Sequence, residues 1–210
     1  HHLGQRILDA GCGPGHVTQY LVDDRELVIG LDRSPQFQHD VTKRFAAYVN
    51  FRPMMGDLTD PTLPDILKPY ALDTIVCVNV LHTLKDDMSV LAGFHHALAA
   101  GGTLILFVAA LPALYGTADE ADGAVRRYSR EEITSRLARS GFVDLDIRWM
   151  NLVGIPGWFL NGKILRNAIV PESHYALYER LVPLLRSVEA RVRLPIGLSL
   201  LCVGHKGRAS

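Results

Sequence analysis

The chain has 210 residues, 48% of them hydrophobic, enough for one compact domain with a sizeable core. Lys plus Arg and Asp plus Glu are equal at 22 each, so no net field draws the chain to nucleic acid or to an acidic membrane. The longest apolar run, residues 103–115, is broken by Pro112 and falls short of the roughly 20 residues that span a bilayer, so a transmembrane segment is not expected.

In chain order, residues 5–10 read as a first strand, followed by a glycine-rich turn and a short helix over 16–22. Residues 27–32 form a second strand ending at Asp32 and Arg33. Ser34-Pro35 then supplies an N-cap and a first-turn proline for a helix running to about Tyr48. A third strand over 49–55 ends at Gly56-Asp57-Leu58. Residues 72–80 are a continuous apolar run, as expected of a strand covered on both faces.

Asp86 or Asp87 caps a helix to Ala99, which Gly101-Gly102 terminate, and residues 103–109 are the fifth strand. Ser129 with Glu132 reads as a capping box for a helix that stops at Gly141. Residues 143–150 and 198–203 are the last two strands. The alternation predicts an α/β fold, a doubly wound and mainly parallel sheet with helices on both faces. Residues 152–195 interrupt it with helical stretches over 158–169 and 175–193, read as a helical cap inserted before the final strand of a single domain covering 1–210.

In such a sheet, ligands bind beyond the carboxyl ends of the strands, so the turn after the first strand is the first place to look. Gly11, Gly13 and Gly15 leave the backbone free to turn tightly and to approach a ligand. A dinucleotide loop wants Gly-x-Gly-x-x-Gly with pyrophosphate on a helix N-terminus; here His16 stands where that pattern needs glycine. Asp9, ahead of the first glycine, would repel pyrophosphate and attract the ammonium group of a methionine moiety. The alternatives are a dinucleotide loop and a turn without a ligand. Asp32 suits two ribose hydroxyls, or simply caps the following helix. Asp57 suits an adenine amino group with Leu58 packed on the ring, or is an ordinary turn acid. Asn79 and Val80 end the fourth strand on the methionine side.

These residues resemble a family. Residues 7–15 (Ile-Leu-Asp-Ala-Gly-Cys-Gly-Pro-Gly), Gly30-Leu31-Asp32, Gly56-Asp57, residues 72–76 leading to Asn79-Val80-Leu81-His82, and Gly101-Gly102-Thr103-Leu104 are similar to the successive motifs of class I S-adenosylmethionine (SAM) dependent methyltransferases. The resemblance covers residues 5–150 and implies a Rossmann-like, seven-stranded, three-layer sheet whose last strand is antiparallel. It also implies SAM as cofactor, held by Asp9, Gly11, Cys12, Gly13, Gly15, His16, Asp32, Arg33, Gly56, Asp57, Leu58, Asn79 and Val80. Family members usually carry a helix before the first strand that covers the cofactor; here the first strand begins at residue 5, so that cover lies outside the given chain or is absent.

The acceptor side is expected at residues 111–128, read as a substrate loop. Asp119, Gly123, Arg126, Arg127 and Tyr128 resemble the Asp-x-x-x-Gly-His-x-Arg-Arg-Tyr stretch of a bacterial methyltransferase subgroup, with Ala124 in place of the histidine. On one reading Arg126 or Arg127 holds an anionic acceptor and Tyr128 positions it. On the other, the loop is solvated and one arginine pairs with Asp119 or Asp122. His82 is a general base for a hydroxyl acceptor or a hydrogen-bonded support of the cofactor loop. The stripe of Trp158, Phe159, Leu160, Ile164, Leu165 and Ile169 is core or cap, with a homodimer face or a lipid-like acceptor contact as the alternative. The expected activity is methyl transfer from SAM to a small-molecule acceptor. A nicotinamide-dependent oxidoreductase and a non-catalytic SAM-binding protein are the rivals. Cys12, Cys77 and Cys202 lack metal-ligand spacing, so no metal is expected, and reduced thiols point to the cytoplasm.

Overall fold

A computed structural model describes residues 3–159 and 195–208. Seven strands form one sheet: β1 (Arg6–Ala10), β2 (Leu27–Asp32), β3 (Phe51–Met55), β4 (Leu72–Val78), β5 (Leu98–Ala109), β6 (Phe142–Met150) and β7 (Ser199–Lys206). Their spatial order is β3-β2-β1-β4-β5-β7-β6. Pairing is parallel from β3 through β5, and β7 runs antiparallel to both β5 and β6. The doubly wound sheet with an antiparallel last strand is therefore present.

Six α-helices accompany the strands among the described residues: α1 (Pro35–Arg44), α2 (Leu63–Leu67), α3 (Asp87–Ala97), α4 (Thr117–Ala121), α5 (Arg130–Arg139) and α6 (Gly154–Phe159). The central strands β1, β2 and β4 are buried almost throughout because each face has a helical cover, whereas the outer strands β3 and β6 are partly exposed. Alternate residues divide between the faces. Ile7, Val28 and Val76 meet Val41 and Phe45 of the α1 side. Leu8, Ile29, Leu31, Ile75 and Cys77 meet Leu63, Leu67, Leu91, Phe94, Ile133 and Leu137 from α2, α3 and α5. The caps act as their residue types dictate. Phe37 N–H donates to Ser34 Oγ, Ser89 N–H to Asp86 Oδ1, and Glu132 N–H to Ser129 Oγ.

Some of these expectations change. Residues 16–22 do not form a helix; a 3-10 turn over Thr18–Tyr20 is all the regular structure there, with Thr18 drawn inward to Asp9. Helix α1 stops at Arg44, because the Phe45 ring turns down onto Phe51 with centroids 4.9 Å apart. Strand β5 starts at Leu98, not residue 103: the pairing with β4 shifts register between Leu72 and Thr74, and Gly101 takes a left-handed φ of 76°. Helix α3 accordingly ends at Ala97 rather than Ala99, and the glycine pair is an irregularity inside β5, not the stop for α3. Of the expected cap, only 152–159 and residue 195 fall within the described residues, and the first of these carries α6; the helical stretches beyond residue 159 lie outside them.

Candidate functional site

The turn from β1 supplies the first wall. Gly11, Gly13 and Gly15 all take positive φ, at 77°, 52° and 83°. Each has its own reason. A Cβ on Gly11 would stand 2.4 Å from Val80, so the loop could not approach the end of β4. A Cβ on Gly15 would stand 2.5 Å from the Phe45 ring, so that glycine serves helix packing. Gly13 faces open space and needs glycine for its backbone alone.

The amides of this turn point inward. Gly11 and Cys12 N–H donate to the Leu31 carbonyl at 2.8 and 2.9 Å, Gly13 N–H to Asp32 Oδ2 at 2.9 Å, and Gly15 N–H to the Cys12 carbonyl at 3.0 Å. A pyrophosphate cradle needs several free N–H groups and a helix N-terminus behind them. This loop provides neither: four amides are already bonded, and the next regular element is a three-residue 3-10 turn. A dinucleotide therefore does not fit here.

Below the loop sits Asp9, 1% exposed, its Oδ2 accepting from the Thr18 hydroxyl at 2.7 Å. Burial pushes its carboxyl up to about 6, with the Asp32 charge adding to the rise and the Thr18 bond opposing it. Its negative charge at neutral pH is directed at the underside of the loop. Asp9 lies outside the lining of the cleft, and its hydrogen bond goes to Thr18.

A cleft of about 420 Å³ opens beyond the ends of β1, β2, β3 and β4, lined by Gly11, Leu31, Asp32, Arg33, Gly56, Asp57, Leu58, Val80, Thr83 and Leu84. Asp32 is a strand-end cap and a cleft residue at once. One oxygen accepts from Gly13 N–H, the other from Ser34 N–H at 2.9 Å, which leaves lone pairs facing the cleft. Asp57 likewise combines two readings. Its Oδ1 accepts from Thr59 N–H and Oγ at 2.9 and 2.8 Å, and these bonds, the backbone one first, lower its carboxyl below the usual range.

Of the residues expected to hold the cofactor, the cleft brings together Gly11, Asp32, Arg33, Gly56, Asp57, Leu58 and Val80. Asp9, Cys12, Gly13, Gly15, His16 and Asn79 fall outside its lining. Cys12 is buried and its thiol is pushed up to about 12 by burial, next by Asp9, so it stays protonated. His16 is exposed beside the loop. Asn79 ends β4 in a left-handed conformation with φ 58°, its N–H donating to Phe107 O, and its task is to turn the chain. Thr83 and Leu84 join the wall without having been expected there. The signal for them is their position just past β4, where a 3-10 turn (Leu81–Thr83) folds them back over the cleft.

On the other side of that turn, the expected acceptor residues lie over β4 and β5, but their polar groups are committed to the protein. Arg127 is 4% exposed; its Nε donates to Asp119 Oδ1 at 2.7 Å and its Nη1 to the Ala110 carbonyl at 2.8 Å, while the Trp158 ring lies 4.7 Å away. Tyr128 is fully buried and donates to Asp87 Oδ2 at 2.6 Å. Arg126 pairs with Asp87 at 2.7 Å and donates to the Lys85 carbonyl. Of the two expected readings, the pairing of one arginine with Asp119 is present for Arg127, and the polar groups of Arg126 and Tyr128 are engaged by Asp87. Within 111–128 the chain carries its own short helix, α4, and the residues on either side of it are largely solvated.

His82 is buried, and its Nδ1 accepts from Ala109 N–H at 3.4 Å. Burial first, then the Arg127 charge, pushes its imidazole down to about 4, against the pull of Asp119. At neutral pH it is uncharged with its proton on Nε2, which suits a hydrogen-bond donor and makes a weak base. No cluster of metal-ligating side chains occurs among the described residues.

Together the doubly wound sheet, the closed glycine turn and the cleft at the strand ends define a nucleoside-cofactor domain of the kind that accepts a cation, not a pyrophosphate. Residues 8–104 match the family described as Methyltransferase domain. Over that stretch, just under half of the chain, it resembles a methyltransferase domain, in keeping with the SAM-dependent methyltransferase motifs read in its first turn. Trans-aconitate 2-methyltransferase of Mycobacterium tuberculosis is 28% identical over 158 residues, covering 74% of this chain and 53% of that protein. Malonyl-[acyl-carrier protein] O-methyltransferase of Serratia marcescens is 27% identical over 118 residues, 56% of this chain and 44% of that one. The chain thus spans about half the length of these relatives. In fold it is similar to a SAM-dependent methyltransferase from Mesorhizobium loti, with TM-score 0.64 and 16% identity over 98% of this chain and 93% of that one. The SAM complex of Haemonchus contortus phosphoethanolamine N-methyltransferase 2 gives the same score and identity, over 99% of this chain and 50% of that one.

The cleft residues fit that cofactor chemically. Asp32 and Asp57 offer carboxylate oxygens to hydroxyl and amino groups, while Leu31, Leu58 and Val80 offer apolar walls to a flat base. The charge of Asp9 behind the glycine turn favours a cationic ligand end.

Proposed function

We propose that this chain binds SAM in the cleft beyond β1 to β4 and catalyses methyl transfer to a small acidic acceptor. The observation that carries the reading is the glycine turn whose amides are bonded inward and whose buried neighbour is a carboxylate, an arrangement that repels pyrophosphate and favours a sulfonium-bearing amino acid. Asp32, steadied by Gly13, holds the ribose end, Asp57 and Leu58 the base, and Gly11 with Val80 the methionine end.

When bound, SAM supplies an activated methyl group, so the protein's task is to align the acceptor in line with it and to exclude water. A carboxylate acceptor needs no base, which agrees with a His82 held neutral and weakly basic. The named substrates of the two relatives, malonyl-[acyl-carrier protein] and trans-aconitate, both carry carboxylates, which supports the same class of acceptor. The three free cysteines support a reducing compartment such as the cytoplasm, and no described helix is long and apolar enough to cross a membrane.

The internal commitment of Arg127 and Tyr128 favours a second reading, a SAM-binding protein without acceptor chemistry. Calorimetry with SAM, its demethylated product and NADH tests the cofactor: micromolar SAM binding without NADH binding is expected, and the reverse overturns it. Transfer of labelled methyl to a panel of short carboxylic acids separates the enzyme from the binding protein.

A further inference from the structure

Arg126, Arg127 and Tyr128 run as an extended stretch beside the end of β5. Tyr128 N–H donates to the Ala109 carbonyl, and Leu111 N–H to the Tyr128 carbonyl. Extended backbone sends alternate side chains to opposite sides. Arg126 and Tyr128 accordingly go to Asp87 at the start of α3, whereas Arg127 goes the other way, to Asp119. Asp119 is itself buried, and its Oδ2 accepts from Gly116 N–H at 3.0 Å and from the Trp158 indole N–H at 3.3 Å. The indole ring rests on the Arg127 guanidinium. The same stretch also reaches His82, whose carbonyl accepts from Val125 N–H at 2.9 Å and whose Nδ1 faces Ala109 N–H.

A buried ion pair is a poor way to add stability, since the desolvation of both charges offsets their attraction. What a paired guanidinium does supply is a fixed plane, with edges that bond a carboxylate and a carbonyl and a face that carries an aromatic ring. The cofactor cleft takes one side of the Leu81–Thr83 turn through Val80, Thr83 and Leu84. The 126–128 stretch lies on the other side, beside the end of β5.

We propose that Arg127 is a positioning residue of the acceptor subsite, fixing His82 and the Trp158 ring at the ends of β4 and β5. The proposal rests on the methyl-transfer reading above. Asp119 sets the plane of the guanidinium, and Trp158 joins α6 to the site through both partners. The charged groups that act on His82 are Arg127 and Asp119, and Asp122 acts on those two in turn.

The test is nuclear magnetic resonance on the whole chain. Its two tryptophans give two indole signals, which Trp149→Phe assigns. In the parent protein the His82 ring titrates well below an ordinary histidine. In Arg127→Met it titrates higher, because Asp119 remains as the nearest charge, and the Trp158 indole signal moves; Arg127→Lys restores the titration in part and the indole position little. With trans-aconitate and malonate as probes on protein saturated with the demethylated cofactor product, the His82 and Trp158 signals shift, and Arg127→Met weakens that response at least tenfold. SAM affinity stays within about twofold in every variant. A folded Arg127→Met protein with an unchanged His82 titration and indole signal overturns the proposal, as does a probe response that bypasses both residues. Should Arg127→Met not fold, Trp158→Phe and Asp119→Asn take its place: Asp119→Asn lowers the His82 titration further, and no change overturns the proposal. Failure of the parent protein to bind SAM strikes the underlying reading instead.

Discussion

At the scale of single residues, the glycines of the first turn look interchangeable in sequence and are not. Gly11→Ala combines a left-handed φ with a Cβ 2.4 Å from Val80, whereas Gly13→Ala faces strain alone. A left-handed non-glycine residue costs about 1–2 kcal/mol, so Gly13→Ala is expected to lose about that much in urea unfolding and Gly11→Ala clearly more. Because Val80 lines the cleft, Gly11→Ala also weakens SAM binding in calorimetry. Equal losses in the two variants would show that the approach to Val80 is not tight.

Two buried titratable residues act against each other. Asp9, raised to about 6, is favoured in its protonated form by the fold, so its contribution to stability falls as pH rises from about 4 to 6. His82, lowered to about 4, is favoured neutral, so its contribution falls as pH drops from about 6.5 to 4. Each shift of roughly 2 pH units corresponds to about 3 kcal/mol, so the two slopes nearly cancel. Asp9→Asn, which keeps an acceptor for Thr18, is expected to lose stability more steeply than the parent between pH 6 and 4. His82→Gln is expected to lose it less steeply, or to gain. Thermal unfolding across that range distinguishes the two, and parallel curves for parent and variants would contradict the burial of both groups.

At the scale of elements, the join between α3, α5 and the stretch after β5 is a single carboxylate. Asp87 is 2% exposed and receives bonds from Arg126, Tyr128 and Arg136. Tyr128→Phe removes one donor to a charged acceptor in a buried place, which costs about 1.5–3 kcal/mol. The expected consequence is wider than stability. Asp87 opens α3 just after Thr83 and Leu84, so amide hydrogen exchange in 81–84 should speed up in Tyr128→Phe while β1 and β2 stay protected. If exchange changes only near residue 128, the two sides of the cleft are not connected through Asp87.

The same scale shows what periodicity could and could not reveal. The central strands are legible because burial on both faces demands apolar runs, and α1, α3 and α5 because Ser34, Asp86 or Asp87, and Ser129 mark their starts. The 16–22 stretch misleads: its apolar spacing suits a helix, but Thr18 turns inward to bond Asp9 and leaves a 3-10 turn. Helix α4 leaves no mark in the sequence because five residues are too few for a period to show. In sequence the dense polar stretch after β5 allows two readings, an acceptor held by Arg126 or Arg127, or one arginine paired with Asp119 or Asp122; folding selects the pairing of Arg127 with Asp119, eight positions away. The partner of Tyr128, Asp87, is 41 positions away and comes within reach only on folding.

At the scale of the whole molecule, a ligand that binds the native state alone stabilises it by mass action. SAM at about 100 times its Kd is expected to add about 2.7 kcal/mol, read as a rise in Tm, while NADH at the same concentration leaves Tm in place. A rise with NADH and none with SAM would reverse the assignment of the cofactor.

By itself the sequence determined the architecture and the class of cofactor, because both rest on local matters: runs of apolar residues, capping groups, and glycines beside an acid within one turn. The tertiary structure alone decided which of those residues face the cleft. It placed Asp9 behind the glycine turn, closed the turn's amides onto Leu31 and Asp32, and added Thr83 and Leu84 to the wall. It also turned the Arg-Arg-Tyr stretch inward. The reason is physical: whether a charged side chain meets a ligand or a counter-charge depends on what lies opposite it, and the opposing residues come from other elements of the chain.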